Sequence, residues 1–115
     1  MSLKTTDHLQ LITWKDTLSF QITSFNTPTS VNKGQQKTVT WNVGGTKNAE
    51  INAQTVTIKF ASDGEHFEQV LAEKVQNNGS CQVTFPSTST TKGRIMIQGD
   101  DNIFIAINTA DITIV

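Results

Sequence analysis

An all-β sandwich is the fold this sequence predicts, and two observations predict it. Apolar residues recur with a period of two in one segment after another, and turn residues interrupt that alternation about every eight to twelve positions. Threonine fills many of the polar positions between them, and β-branched residues suit a pleated, half-buried surface. Together these imply an antiparallel β-sandwich of about seven to nine short strands.

The clearest strand is Gln36-Lys-Thr-Val-Thr-Trp-Asn42, continued by Val43. Val39, Trp41 and Val43 alternate with Thr38, Thr40 and Asn42, so three apolar side chains share one face. A tryptophan in the middle of such a strand is expected in the core, with a partner for its N–H.

Before it, residues 4–16 are hard to read. Leu9, Leu11, Ile12 and Trp14 fit a first edge strand or the tail of a preceding segment, and Met1-Ser-Leu3 looks like a vector-derived remnant. We therefore divide the chain into 1–16, a remnant and linker or first edge strand, and 17–115, the sandwich. Leu18, Phe20 and Ile22 alternate with polar residues and predict a strand through Phe25. Pro28 then breaks the chain, and Val31-Asn-Lys-Gly34 supplies a turn.

Residues 44–52 predict a long polar loop, the first place to seek function. Val56, Ile58 and Phe60 mark the next strand, and Asp63-Gly64 a hairpin turn. Residues 65–76 fit both helical and strand spacing. The adjoining turn favours a strand, with Phe67, Leu71 and Val75 on one face. Asn77-Asn-Gly79 turns the chain into a strand over 81–85 that Pro86 ends. Residues 87–91 read as a loop, and 94–97 as a strand. Gly99-Asp-Asp-Asn102 is a turn, and Ile103, Ile105 and Ile107 mark the returning strand. Residues 111–115 close the domain as an edge or carboxy-terminal strand.

At 115 residues the chain makes one domain, long enough to bury a core without staples. It is expected to fold as a monomer. Nine basic residues against ten acidic ones argue against nucleic acid or an anionic membrane as a partner. No apolar run approaches the length of a spanning helix, and no leader segment is evident. Cys81 is the single cysteine, which rules out an intrachain disulfide and a cysteine-built zinc site, and its spacing with Val83 and Phe85 predicts a small buried hydrophobe.

Motifs for chemistry are scarce. Glu65-His-Phe-Glu68 lacks the second histidine of a zinc-protease helix, and His8 and His66 are the only imidazoles. There is no nucleophile elbow and no phosphate-cradling glycine loop. We expect no catalysis and no cofactor. Asp100, Asp101 and Asn102, with Asp111 nearby in sequence, offer oxygen ligands of the calcium type, weighed against a plain polar turn with too few oxygens. Asp63 with Glu65 is a thinner cluster. Ser62-Asp63-Gly64 followed by Phe67 resembles the Asp-box hairpin of sialidase-like propellers, a structural turn there. Asn78-Gly79-Ser80 matches an N-glycosylation acceptor. Trp14 is the candidate ligand platform, against the alternative of an edge contact.

The order of several pieces carries a resemblance. Lys37-Thr-Val-Thr-Trp-Asn-Val43, Val56-x-Ile58-x-Phe60-x-Ser62-Asp-Gly64, Leu71-Ala72, Asn78-Gly-Ser80 and Val83-Thr84 come first. Thr91-x-Gly-Arg94-Ile-x-Ile97, Asn102-Ile-Phe104 and Ile112-Thr-Ile114 follow. This set resembles an immunoglobulin- or fibronectin-type β-sandwich repeat found toward the carboxy end of large secreted bacterial proteins, several of which carry a reprolysin-like zinc metalloprotease domain upstream. It covers residues 24–115. The resemblance implies an immunoglobulin-like sandwich acting as a non-catalytic spacer, adhesion or interaction module of a secreted or cell-surface protein. Its partners would be other domains of the same chain, a protein or a polysaccharide. A carbohydrate-binding module is the alternative. The chain departs from many immunoglobulin-like domains in having no tyrosine, hence no tyrosine corner.

Overall fold

The structure, a computed structural model, describes residues 20–44, 53–100 and 104–115. Among them are nine strands and no helix: β1 (Gln21–Ile22), β2 (Thr29–Val31), β3 (Gln36–Asn42), β4 (Thr55–Ala61), β5 (Gln69–Gln76), β6 (Ser80–Thr84), β7 (Thr90–Gly99), β8 (Ile105–Ile107) and β9 (Ile112–Ile114). They form a sandwich of two sheets. The smaller has the order β1-β3-β6; the larger has the order β2-β9-β7-β4-β5, with β8 also paired to β7.

The alternation seen in the sequence becomes the core. Val39 and Trp41 of β3, Ile22 of β1 and Val83 of β6 face Val56, Ile58 and Phe60 of β4, Ile95 and Ile97 of β7, and Ile112 and Ile114 of β9. All are at most 4% exposed, so each apolar face is removed from water almost completely. Phe85 joins the layers edge-to-face, with ring centroids 5.7 Å from Phe25 and 5.9 Å from Phe60.

The amino-terminal run is split between the sheets. β1 pairs antiparallel with β3, whereas β2 pairs parallel with β9. The predicted strand through Phe25 ends at Ile22, because Phe25 takes a positive φ of 59° that no extended strand accommodates. Asn26 secures the crossing: its Nδ2 donates to the Ile22 carbonyl at 2.7 Å, and its Oδ1 accepts the Thr109 N–H at 2.9 Å. Past Pro28 the chain enters β2, a strand the sequence reading missed.

The carboxy-terminal run is also broken. β8 pairs with Met96–Gln98 and β9 with Thr90 and Gly93, so both lie along the same side of β7. The gap is bridged by Asn108, which is 1% exposed. Its backbone N–H reaches the Ile95 carbonyl at 3.1 Å, and its Oδ1 accepts the Ile95 N–H at 2.8 Å. Its Nδ2 donates to the carbonyls of Phe25 (2.6 Å) and Ala110 (2.7 Å). One side-chain amide thus replaces a rung of the ladder and ties both broken strands together. β9 is the carboxy-terminal strand but not an edge, since β2 covers its outer side.

Residues 65–76 resolve as expected in favour of a strand, β5, which pairs with β4 after the Asp63-Gly64 turn. Phe67 stays in the turn, half-buried. Register shifts along β5 and a positive φ of 53° at Lys74 mark its irregular edge. β7 starts at Thr90, inside the predicted 87–91 loop.

Candidate interaction surface

The outer face of the larger sheet follows from strand parity. Because Ile58 and Phe60 of β4 point inward, Thr57 and Lys59 point outward; likewise Met96 and Gln98 of β7 oppose Ile95 and Ile97. Register then fixes the rows. Val70, Lys59, Met96 and Ile107 stand opposite one another across β5, β4, β7 and β8. Thr57, Gln98 and Ile105 form the adjacent row. Three inter-strand spacings make the first row about 14 Å long.

Four of the seven residues in these rows are aliphatic, with Lys59 standing between Val70 and Met96. Val70 is 52% exposed, Ile105 54% and Ile107 40%, and Met96 is half-buried between them. Branched aliphatics left in water forfeit burial energy, and their grouping on one face marks a contact surface more readily than scattered exposure does.

Ile105 and Ile107, which with Ile103 mark the returning strand in the sequence, are both exposed. The inward residues of this strand region are Phe104 and Ala106. Pairing of Ala106 with Ile97 sets that parity. Phe104 fills the space above Gly99, where a Cβ would meet its ring at 2.8 Å, and stacks edge-on to Phe20 at 4.5 Å. Gly99 was the available signal: a glycine ending a strand marks room for a large neighbour. Ile103 itself lies outside the described residues.

The other sequence candidates separate in space. Asp100 follows β7, and its two carboxylate oxygens accept from the hydroxyls of Thr55 and, at 2.6 Å, Thr57. Asp101 and Asn102 lie outside the described residues. Asp111 does not join Asp100: it accepts from Arg94 Nε at 3.1 Å, six residues back along β7 and about 20 Å away. Trp14 and most of the 44–52 loop also lie outside the described residues. Among those described, no group of three His, Cys, Asp or Glu is placed to hold a metal ion.

Asp63 and His66 do meet, on the turn between β4 and β5. Asp63 Oδ1 accepts the N–H groups of Glu65 (2.9 Å) and His66 (2.8 Å), and Oδ2 lies 2.5 Å from His66 Nδ1. Those bonds, the backbone N–H of His66 foremost, hold the Asp63 carboxyl far below its ordinary range, and the same carboxylate raises the His66 imidazole above 6.5. Both side chains are exposed, and the cluster shapes a turn. Cys81 shares the inward face of β6 with Val83 but sits at its rim, half-buried instead of buried, and desolvation raises its thiol pKa.

No aromatic among the described residues is exposed: Phe25 and Phe67 are half-buried and the others buried. In comparison with known proteins, the chain matches no family model, and no curated protein is significantly similar to it.

Proposed function

We propose that this sandwich is a non-catalytic accessory domain of a secreted or cell-surface multidomain bacterial protein, one candidate for whose catalytic part is a metalloprotease. Its role is to pack against a neighbouring protein domain through the outer face of the larger sheet. The observation that carries this reading is the aliphatic grouping of Val70, Met96, Ile105 and Ile107. Branched aliphatic side chains complement the apolar surface of another protein. Sugars instead stack on exposed aromatic rings, and the described surface has none. The bacterial and exported setting rests on the sequence resemblance alone.

The test uses the purified chain and the longer protein that carries it. Ile105→Glu combined with Ile107→Glu places two charges on the face without touching the core. Stability of the isolated chain should change by less than about 1 kcal/mol, while packing against the neighbouring domain is lost. Unaltered packing in that variant removes the face from the account. Polysaccharide binding on a glycan array, abolished by Trp14→Ala, would replace the reading with a carbohydrate-binding module. Peptidase turnover that survives repurification and disappears on substitution of one acidic residue would overturn the non-catalytic role.

A further inference from the structure

We infer that Asn78 is a self-modifying residue: its side chain expels ammonia on attack by the backbone nitrogen of Gly79, and the product loosens the anchoring of Trp41. Asn78-Gly79 is the chain's one Asn-Gly step. It lies on the turn between β5 and β6, with Asn78 exposed to water. Gly79 has a φ of +96° and no side chain to obstruct approach to its amide nitrogen. The Ser80 N–H donates to Asn78 Oδ1 at 3.2 Å, turning the side-chain amide back over the intervening peptide. That donor sits where negative charge develops when Cγ is attacked, and a prepositioned N–H at such an oxygen favours the tetrahedral state.

The step balances without any reagent but water. The Gly79 nitrogen gives up its proton and bonds to Asn78 Cγ. The bond from Cγ to the side-chain nitrogen breaks, and ammonia departs carrying that proton. Water then opens the cyclic imide at either carbonyl, leaving aspartate or isoaspartate at position 78. The second product inserts a methylene into the main chain.

The location makes this consequential. Asn77, immediately before, accepts the Trp41 indole N–H at 2.9 Å. Gly79, immediately after, accepts the Trp41 backbone N–H at 2.9 Å. Lengthening the chain between them shifts one anchor of Trp41 relative to the other. Asp63-Gly64, the other acidic or amide residue followed by glycine on a turn, is protected. Its carboxylate is ionised and already holds the Glu65 and His66 donors, so it is a poor electrophile.

The experiment incubates the folded chain in mildly alkaline buffer and follows ammonia release, peptide mass and isoaspartate by methyltransferase labelling. The expected result is modification at Asn78 at least about tenfold faster than at any other asparagine, since glycine alone leaves the attacking nitrogen unhindered. The aged fraction should also melt below the fresh protein. Asn78→Gln, which keeps an amide but requires a larger ring, should be silent at this position with the fold intact. Ammonia release equal in wild type and Asn78→Gln overturns the assignment. Modification at Asn78 with no change in melting overturns the link to Trp41.

Discussion

The indole nitrogen of Trp41 donates to Oδ1 of Asn77 at 2.9 Å, joining residues 36 positions apart in the buried interior. Asn77 is fully buried, and its Nδ2 in turn donates to the Ala53 carbonyl at 2.9 Å. A large apolar ring is thus buried without leaving its N–H unpaired, and the same amide fastens the start of β4 to the end of β5. We predict that Trp41→Ala costs about 3–5 kcal/mol through lost burial and a cavity. Asn77→Ala should cost about 1–3 kcal/mol, because it strands the indole donor and a carbonyl. Denaturant unfolding checks both, and a loss below about 1 kcal/mol for Trp41→Ala would remove it from the core.

Asn108 is the stronger polar anchor. Substitution by alanine leaves the Ile95 N–H and the Phe25 and Ala110 carbonyls without this partner. Asn108→Ala should destabilise by about 2–4 kcal/mol, more than any substitution of an exposed asparagine. Hydrogen exchange should show the loss first at the Ile95 amide, and unchanged protection there would contradict this assignment.

Much of this architecture was legible in the sequence, and what was not has a physical reason. Period-two alternation located β3, β4, β6 and β7, because each buries a single face. It does not fix the facing of β8, where Ile105 and Ile107 are as apolar as the inward Phe104 and Ala106. Apolar residues on both faces leave parity to be set by pairing with β7, which is a tertiary fact. β2 was missed because three residues paired in parallel to a strand far along the chain leave no local pattern. The outer face follows only from register across β5, β4, β7 and β8. Asn108 reads as an ordinary turn residue until its three partners, one of them 83 residues away, are brought together.

Asp63 and His66 predict a pH dependence. His66 holds its proton more tightly when folded, so its contribution to stability is complete below 6.5 and disappears as pH rises through the raised folded value. The lowered Asp63 acts in the opposite sense: its contribution is present above 3.8 and is lost as pH falls through its depressed folded value. Proton NMR should give a His66 midpoint above 6.5 that returns toward the ordinary histidine value in Asp63→Asn. A midpoint unmoved by that substitution would show that the pair does not form.

Calcium should leave the melting temperature unchanged. Both Asp100 oxygens already accept threonine hydroxyls, and Asp111 is engaged by Arg94, six residues back along β7. A cation binding only the folded state would raise stability with its concentration. A rise of several degrees in millimolar calcium, reversed by chelator, would make Asp100 a ligand.

The outer face of the larger sheet is tested most directly by its accessibility. Ile107→Cys in a Cys81→Ser background places one reporter thiol on β8, at the margin of that face. Its labelling rate is measured in the isolated domain and again within the longer, multidomain protein that the proposal requires. The account predicts rapid labelling in isolation and at least about tenfold slower labelling in the longer protein, as burial in an interface excludes the reagent. Equal rates in the two would contradict the proposal that this face packs against a neighbouring domain.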